Sequence, residues 1–167
     1  MKSHYLIILM SILACANWGC GPQSPDTVCE SLLPTLPTLA EIGSAQVSWT
    51  EAGTTETNTG SWSDGSNGDI TFGTVSMVIA KAQNGEETAA LIAASSFPIC
   101  IPLGERSEQS GNATDSGTFV TDAEHTGMVA ILGQENDEII GRFQLVMGNA
   151  SGEIRDLQEG LFRVPQR

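Results

Sequence analysis

The sequence is poor in aromatic and basic residues, and each shortage argues against a class of function. Aromatic residues make up 5% of the chain, which argues against a cleft that stacks sugar rings on aromatic side chains. Lys and Arg number 7 against 20 Asp and Glu, so the net charge is −13. A chain of that charge is repelled by nucleic acid and by anionic lipid surfaces. We therefore expect no nucleic-acid partner.

Histidine and the common catalytic motifs are also scarce. The chain has 2 histidines, His4 and His125, and only His125 lies outside the N-terminal leader described below. A single imidazole excludes a metal site built on two or more histidines. His125 follows Asp122, but without a Gly-x-Ser-x-Gly motif to supply a nucleophile we interpret it as a turn residue. Phosphate loops, dinucleotide fingerprints and Cys-x-x-Cys motifs are absent, so no cofactor is predicted.

The N-terminus carries the most specific signal in the chain. Lys2 precedes an apolar run, Tyr5 to Ala14, which has the length of a signal peptide and is too short to span a membrane. Cys15 follows at once. The string Ile12-Leu13-Ala14-Cys15 resembles the lipobox of bacterial lipoproteins, where a peptidase cuts before a cysteine that carries diacylglycerol. The resemblance implies a lipid anchor at Cys15 and a place in the bacterial cell envelope, at the outer membrane or the cell surface.

Two other cleavage sites stay open. Cys20 follows Gly19, a small residue that suits a lipobox, although Asn17 and Trp18 do not. Ordinary secretion, with cleavage after Ala16, is the third interpretation. In the favoured one, residues 1–14 are the signal peptide, residues 15–40 are a flexible tether rich in Pro and Gly, and residues 41–167 form the domain.

Alternating apolar residues predict an all-β domain. The pattern is clearest in Ile139 to Met147, where every second residue is apolar, and it recurs in Val129 to Ile131 and in Phe162 to Val164. The tetrapeptide Gln134 to Asp137 predicts a hairpin. Two prolines in the run Phe97 to Leu103 predict that it lies at the edge of a sheet. We expect an antiparallel β-sandwich or barrel of about eight or nine short strands.

Polar segments are interpreted as connections between these strands. We expect loops over Glu51 to Asn58, Asp64 to Asp69 and Glu105 to Ser116, and a return strand over Thr88 to Ser95. The closing pattern, with a Gly-x-Phe element at Gly141 and again at Gly160, looks like that of uncharacterised all-β envelope lipoproteins. That resemblance implies paired C-terminal strands and brings no catalytic residues.

Asp64 and Asp69 are weak candidates for a metal site. Oxygen ligands in a glycine-bearing loop suit Ca²⁺. The EF-hand pattern fails, however, because Gly65 stands at its second position and Val75 at its twelfth. We interpret this stretch as a plain turn and predict no metal.

The 4 cysteines allow one disulfide after lipidation of Cys15. An exported protein meets an oxidising compartment, where thiols tend to pair. Cys29 at the edge of the domain and Cys100 on a strand are the predicted pair, and Cys20 with Cys29 is the alternative. The first pairing closes a loop of about 70 residues, for which chain-entropy estimates give roughly 4 kcal/mol.

These observations predict a non-enzymatic function. We expect a lipid-anchored β-domain that binds or structurally supports a partner outside the membrane. The alternative is a hydrolase that uses scattered carboxylates, since the distances between acidic side chains are invisible in a sequence. Converging carboxylates in a deep pocket would favour the hydrolase.

Overall fold

The structure, a computed structural model, describes residues 42–63, 67–81, 97–104 and 110–167. Within those ranges the chain forms ten β-strands, and no helix there is long and apolar enough to cross a membrane. The strands are β1 (Gln46–Glu51), β2 (Thr54–Ser63), β3 (Asn67–Phe72), β4 (Val75–Lys81), β5 (Ile99–Leu103), β6 (Ser110–Thr114), β7 (Thr118–Val120), β8 (Gly127–Glu135), β9 (Glu138–Gly148) and β10 (Ile154–Pro165). The predicted tether and the predicted strand over residues 88–95 lie outside the described residues.

Eight of the strands close into an antiparallel barrel. Their order is β10-β1-β2-β3-β4-β6-β7-β9, and β9 pairs again with β10 to complete the ring. The all-β antiparallel class predicted from the sequence is confirmed, and closure distinguishes the barrel from an open sandwich. β9 and β10, with 11 and 12 residues, are longer than the short strands expected.

The two remaining strands branch from one edge of β9. β7 reaches that edge through a single pair, Val120 with Gly148, while β8 pairs along the rest of it. β5 then pairs with β8 and ends the sheet. Pro102 lies on β5, and a proline has no N–H for a further ladder. The edge position predicted for this run is therefore confirmed.

Strand alternation fills the barrel with apolar side chains. On β9, Ile139, Phe143, Leu145 and Met147 point inward and are at most 4% exposed. The inward faces of the other strands follow the same period of two. The inward positions predicted in β8 and β10 are confirmed: they are Val129, Ile131, Phe162 and Val164. On β4 the inward residues are Val75, Met77 and Ile79.

Four aromatic rings form a line through this interior. Ring centroids are 5.1 Å apart for Trp49 and Phe72, 5.3 Å for Phe72 and Phe143, and 6.5 Å for Phe143 and Phe162. These tilted contacts fall in the favourable range for aromatic pairs. A chain with few aromatic residues thus places four of them in one continuous contact.

Glycines make room for two of these rings. Gly160 on β10 lies opposite Phe143 on β9, and Gly141 on β9 lies opposite Phe162 on β10. A Cβ added at either glycine would overlap the ring across from it. The Gly-x-Phe elements noted in the sequence therefore pair with each other in reciprocal register.

The hairpin predicted at Gln134 to Asp137 is confirmed. Glu135 pairs with Glu138, and the two residues between them, Asn136 and Asp137, have φ of 49° and 65°. Positive φ at both central positions is the type I′ geometry, which Asn and Asp tolerate.

Part of each of the three predicted loops is a strand. Residues 54–58 belong to β2 and pair with β1, although positions 54–59 are exposed. Ser110 to Thr114 form β6, whose inward positions are Gly111 and Ala113. A Cβ at Gly111 would overlap Leu145, so this strand carries small residues that give no apolar signal. Asn67 to Asp69 start β3, and residues 64–66 lie outside the described residues.

Candidate functional site

A shallow cleft at one end of the barrel brings several charged side chains together. Its volume is about 310 Å³. The β1–β2 hairpin, the β3–β4 turn, the β6–β7 turn and the first residues of β10 border it. The lining residues are Trp49, Glu51, Glu56, Asn58, Phe72, Gly73, Thr74, Val75, Asp115 and Arg155.

Arg155 is the centre of the cleft's charge network. Its Nε donates to Glu51 Oε1 at 2.7 Å, and its Nη2 donates to Glu51 Oε2 at 2.7 Å. Its Nη1 donates to Asp115 Oδ2 at 2.8 Å. The guanidinium also lies 5.9 Å from the centroid of the Phe119 ring. This two-pronged contact with Glu51 is the strong geometry for an arginine–carboxylate pair.

Backbone pairing explains why these groups meet. Glu51, the last residue of β1, lies opposite Leu157 on β10, so β1 ends beside the start of β10 where Arg155 stands. Asp115 follows β6 in a tight turn between the paired residues Thr114 and Thr118. The two carboxylates therefore approach one guanidinium from separate strand ends.

Hydrogen bonds hold both carboxyl groups in the charged form. Arg155 lowers the pKa of Glu51, with a smaller contribution from the Trp49 indole, which donates to Oε2 at 3.3 Å. The backbone N–H of Ser116 lowers the pKa of Asp115, and the charge of Arg155 adds to that effect. The pKa of Arg155 is raised by Glu51. These carboxylates are thus acceptors, and neither is tuned to donate a proton near neutral pH.

Replacing Arg155 by Met should destabilise the protein in a pH-dependent way. We expect a loss of about 2 kcal/mol at pH 7, because hydrogen bonds to charged groups contribute roughly 1.5–3 kcal/mol each and partial exposure reduces that. The lowered pKa of Glu51 and Asp115 means that their contribution is complete above the ordinary values of 4.5 and 3.8. It is lost as the pH falls through the lowered folded-state values.

Urea unfolding of Arg155→Met and of the parent at pH 7 and pH 3 measures this effect, and the difference should shrink at pH 3. Arg167→Met is the control, since Arg167 contacts Asp69 at 3.3 Å but is 53% exposed. We expect that change to cost less than about 0.5 kcal/mol. An equal loss at both pH values for Arg155→Met would assign its role to packing.

A second ion pair lies at the opposite end of β9 and β10. Arg163 Nε donates to Glu138 Oε2 at 2.6 Å, and Ser44 donates its hydroxyl to Glu138 Oε1. The Ser44 hydroxyl and then Arg163 lower the pKa of Glu138. Glu138 is 8% exposed. This group joins the chain ahead of β1 to the start of β9, so its role is structural.

The sequence candidates are not brought together. His125 lies in the connection between β7 and β8, where its Nδ1 contacts Asp122 Oδ1 at 2.9 Å and its backbone N–H donates to the same oxygen at 2.7 Å. The His125 contact lowers the pKa of Asp122. Within the described ranges no hydroxyl group hydrogen-bonds to the His125 ring.

Of the two weak metal candidates, only Asp69 lies in the described residues. Asp69 lies on β3, where it accepts from Ser63, Ser76 and Arg167, and Asp64 lies outside the described residues. In the part of the chain that the structure describes, no three His, Cys, Asp or Glu side chains are placed to hold a metal ion. Asp69 is instead paired with an arginine.

Of the predicted cysteine sites, only Cys100 is described. It lies half-buried on β5, in register with Ala130 on β8. Cys15, Cys20 and Cys29 lie outside the described residues, so the lipid anchor and the Cys29–Cys100 bond stay predictions.

The sequence did not reveal the Arg155 network. Arg155, Glu51 and Asp115 are charged residues near turns, and nothing in their local pattern marks them. The only available signal was the scarcity of arginine, because a rare cation in an acidic chain has many carboxylates to attract.

The geometry defines a closed antiparallel β-barrel with a paired-charge cleft at one end. Comparison with protein-family models, curated proteins and solved structures finds no match for this chain. The function is therefore argued from the site alone.

Proposed function

We propose that the protein is a bacterial envelope lipoprotein whose barrel is a non-enzymatic module for binding or structural support. The observation that carries the non-enzymatic part is the pairing of the cleft's charges. Arg155 occupies both oxygens of Glu51 and one of Asp115. Hydrolysis of a glycoside by two carboxyl groups needs one of them protonated, and here the pKa of both is lowered.

The proposal is also supported by where polar groups lie. The barrel interior is filled with apolar side chains, whereas the cleft is bordered by charged and polar ones. Glu56 on β2 is exposed. Its carboxylate hydrogen-bonds to no other described residue, so it is available to a ligand.

The cleft's charge indicates the class of ligand. Three carboxylates, on Glu51, Glu56 and Asp115, face one guanidinium, on Arg155. The excess of acceptors suits a ligand that presents amines and hydroxyls and repels anions. An amine-bearing saccharide of the envelope has that chemistry.

Calorimetric titration with two tetrasaccharides tests this role. A glucosamine tetramer, which carries ammonium groups, should bind at least about tenfold more tightly than its N-acetylated counterpart, a difference of roughly 1.4 kcal/mol. Glu56→Gln should remove most of that preference. Glu124→Gln, the same change at an exposed site between β7 and β8, should leave it intact.

The same titration separates binding from hydrolysis. Cleavage of either tetramer that disappears in Glu56→Gln would establish the hydrolase and reject our proposal. Equal binding of the two tetramers by the parent and by Glu56→Gln would show that the cleft carboxylates do not recognise the ammonium groups, and would reject the cleft as the binding site.

Metabolic labelling tests the proposed location in the cell envelope. Labelling cells with a palmitate analogue should tag the protein, because the order Lys2, apolar run, Cys15 resembles a lipoprotein signal. Cys15→Ala should abolish the label. Label that survives this change and disappears with Cys20→Ala would move the anchor to Cys20. Label that survives both changes would reject an anchor at either cysteine, and a parent that takes up no label would reject lipidation.

A further inference from the structure

The cleft has an unused hydrogen-bond donor next to its unused acceptor. Asn58 stands two residues after Glu56 on β2, and both side chains line the cleft. Their partners on β1, Val47 and Trp49, belong to the apolar interior. Because residues paired across two strands share a face of the sheet, Asn58 and Glu56 both lie on the inward face. The two side chains therefore border the same space at the end of the barrel.

Two contacts define the orientation of the Asn58 amide. Its Oδ1 accepts from the backbone N–H of Thr59 at 2.8 Å, which assigns the other amide atom as the nitrogen. That nitrogen, Nδ2, lies over Gly73, because a Cβ added at Gly73 would stand 2.7 Å from it. The amide thus has β2 on one side and the β3–β4 turn on the other, so its position is set before a ligand binds.

Gly73 suits this turn for two reasons. Phe72 pairs with Val75, so the turn has two residues and Gly73 is the first of them. Gly73 has a φ of 54°, and positive φ at this position is typical of the turns that close two-residue hairpins. The same glycine also leaves open the space that Asn58 Nδ2 occupies.

The other side-chain nitrogens of the cleft lining are already paired. The Trp49 indole and the three guanidinium nitrogens of Arg155 donate to carboxylates of the cleft. Asn58 Nδ2, in contrast, donates to no described residue. The cleft therefore offers a ligand an uncharged donor, on Asn58, beside an unpaired acceptor, on Glu56.

A ligand that satisfies both groups must carry a donor and an acceptor. An ammonium group fits Glu56. An uncharged acceptor fits Asn58, since the cleft's excess of negative charge repels a carboxylate or a phosphate. Side chains two positions apart on a strand stand roughly 6.8 Å apart, a span that one sugar ring with its substituents covers. Trp49 and Phe72 are 8% and 2% exposed, so hydrogen bonds, and not stacking on ring faces, must recognise the sugar.

We infer that Asn58 determines the specificity of the cleft: its amide donates to a hydroxyl oxygen of the saccharide while Glu56 accepts from a nearby ammonium group. This role rests on the proposed binding of an amine-bearing saccharide, and it adds that amines alone are not sufficient. The cleft therefore recognises amino alcohols and discriminates against polyamines that have no hydroxyl group.

Calorimetric titration of the full chain at pH 6 with the glucosamine tetramer and with spermine tests this specificity. Both probes carry the same number of amines, mostly protonated at that pH, but spermine has no hydroxyl group. The parent should bind the tetramer at least about fivefold more tightly, the factor that one uncharged hydrogen bond contributes. Asn58→Ala should remove the preference by weakening only the tetramer. Asn112→Ala, the same change on the outward face of β6, should keep it.

Gly73→Ala tests the position of the amide without removing it. The added Cβ would displace Nδ2, so this variant should lose the same preference. Gly73→Ala combined with Asn58→Ala should lose no more than either change alone, and losses that add would overturn the inference. Gly152→Ala is the control, since Gly152 also has a positive φ, 79°, and its Cβ would meet no atom within 4 Å. If Gly73→Ala does not fold, Asn58→Ala alone decides.

Two further outcomes distinguish the role of Asn58 from the proposed function. A parent that binds spermine as tightly as the tetramer, or an Asn58→Ala variant that keeps the preference or weakens both probes alike, rejects the role of Asn58 alone. A parent that does not distinguish the tetramer from its N-acetylated counterpart rejects recognition of the amine, and the role of Asn58 with it.

Discussion

Replacing Gly141 by Ala should cost about 3 kcal/mol of unfolding free energy, near the upper end for an overpacked core. The added methyl group would overlap the backbone carbonyl of Ala130 and the Phe162 ring. The ring can tilt, but the carbonyl belongs to the β8–β9 ladder and cannot move without breaking it. Gly160→Ala should cost about half as much, because the three atoms nearest to the new Cβ all belong to the Phe143 ring, the closest at 2.5 Å.

Double variants separate the two mechanisms when unfolding is followed in urea. Phe143→Leu should recover about 1 kcal/mol in the Gly160→Ala background. Phe162→Leu should recover less in the Gly141→Ala background, because the carbonyl overlap remains. Gly133→Ala is the control, since its Cβ would meet no atom within 4 Å. Full recovery of Gly141→Ala by Phe162→Leu would show that the ring, and not the carbonyl, sets the cost.

Truncating Trp62 should be equally damaging, at about 3–5 kcal/mol for Trp62→Ala. The side chain is 0% exposed and is the largest of the fully buried ones. Its Nε1 donates to the carbonyl of Asp137 at 3.1 Å, and its own carbonyl accepts from the backbone N–H of Arg167 at 2.9 Å. It therefore joins β2 to the β8–β9 turn and to the last residue of the chain.

The variant Trp62→Phe shows how much of this loss of unfolding free energy comes from packing and how much from the indole hydrogen bond. We expect it to cost about 1–2 kcal/mol, since the Asp137 carbonyl keeps a second donor, the backbone N–H of Gln166 at 3.1 Å. Guanidinium unfolding followed by far-UV circular dichroism measures both variants. A Trp62→Ala cost no larger than that of Trp62→Phe would mean that the indole volume contributes little at this barrel end.

The sequence predicts those strands of this barrel that have one apolar face. The alternation in β9 gave a correct assignment because one face of that strand meets the core. The prolines at 98 and 102 gave the correct edge position because β5 ends the sheet. Residues 54–58 of β2 gave no such signal, since they extend past the core and are exposed. Their strand state comes from pairing with β1. The sequence also misses β6, but here the strand faces the core. Its inward position is Gly111, because Leu145 fills the space that a side chain would need.

The candidate site was less predictable than the fold because it depends on closure. Glu51, Asp115 and Arg155 come from three separate parts of the chain, and the pairing of β1 with β10, distant in sequence, brings Glu51 to Arg155. A barrel and a sandwich have the same strand patterns in sequence, so the sequence could not predict this pairing.

The weak metal candidate Asp69 was misinterpreted for a different reason. It ends a polar run that is typical of a loop, but this run continues into β3.

The pairing of β1 with β10 also determines when the barrel can close relative to synthesis of the chain. Gln46 lies opposite Arg163, so β1 has no partner on that side until the final residues have been synthesised, at about 5–20 residues per second. Pairings so distant in sequence form slowly even afterwards. During translation the ring therefore stays open. The barrel can close only after the synthesis of β10 is complete.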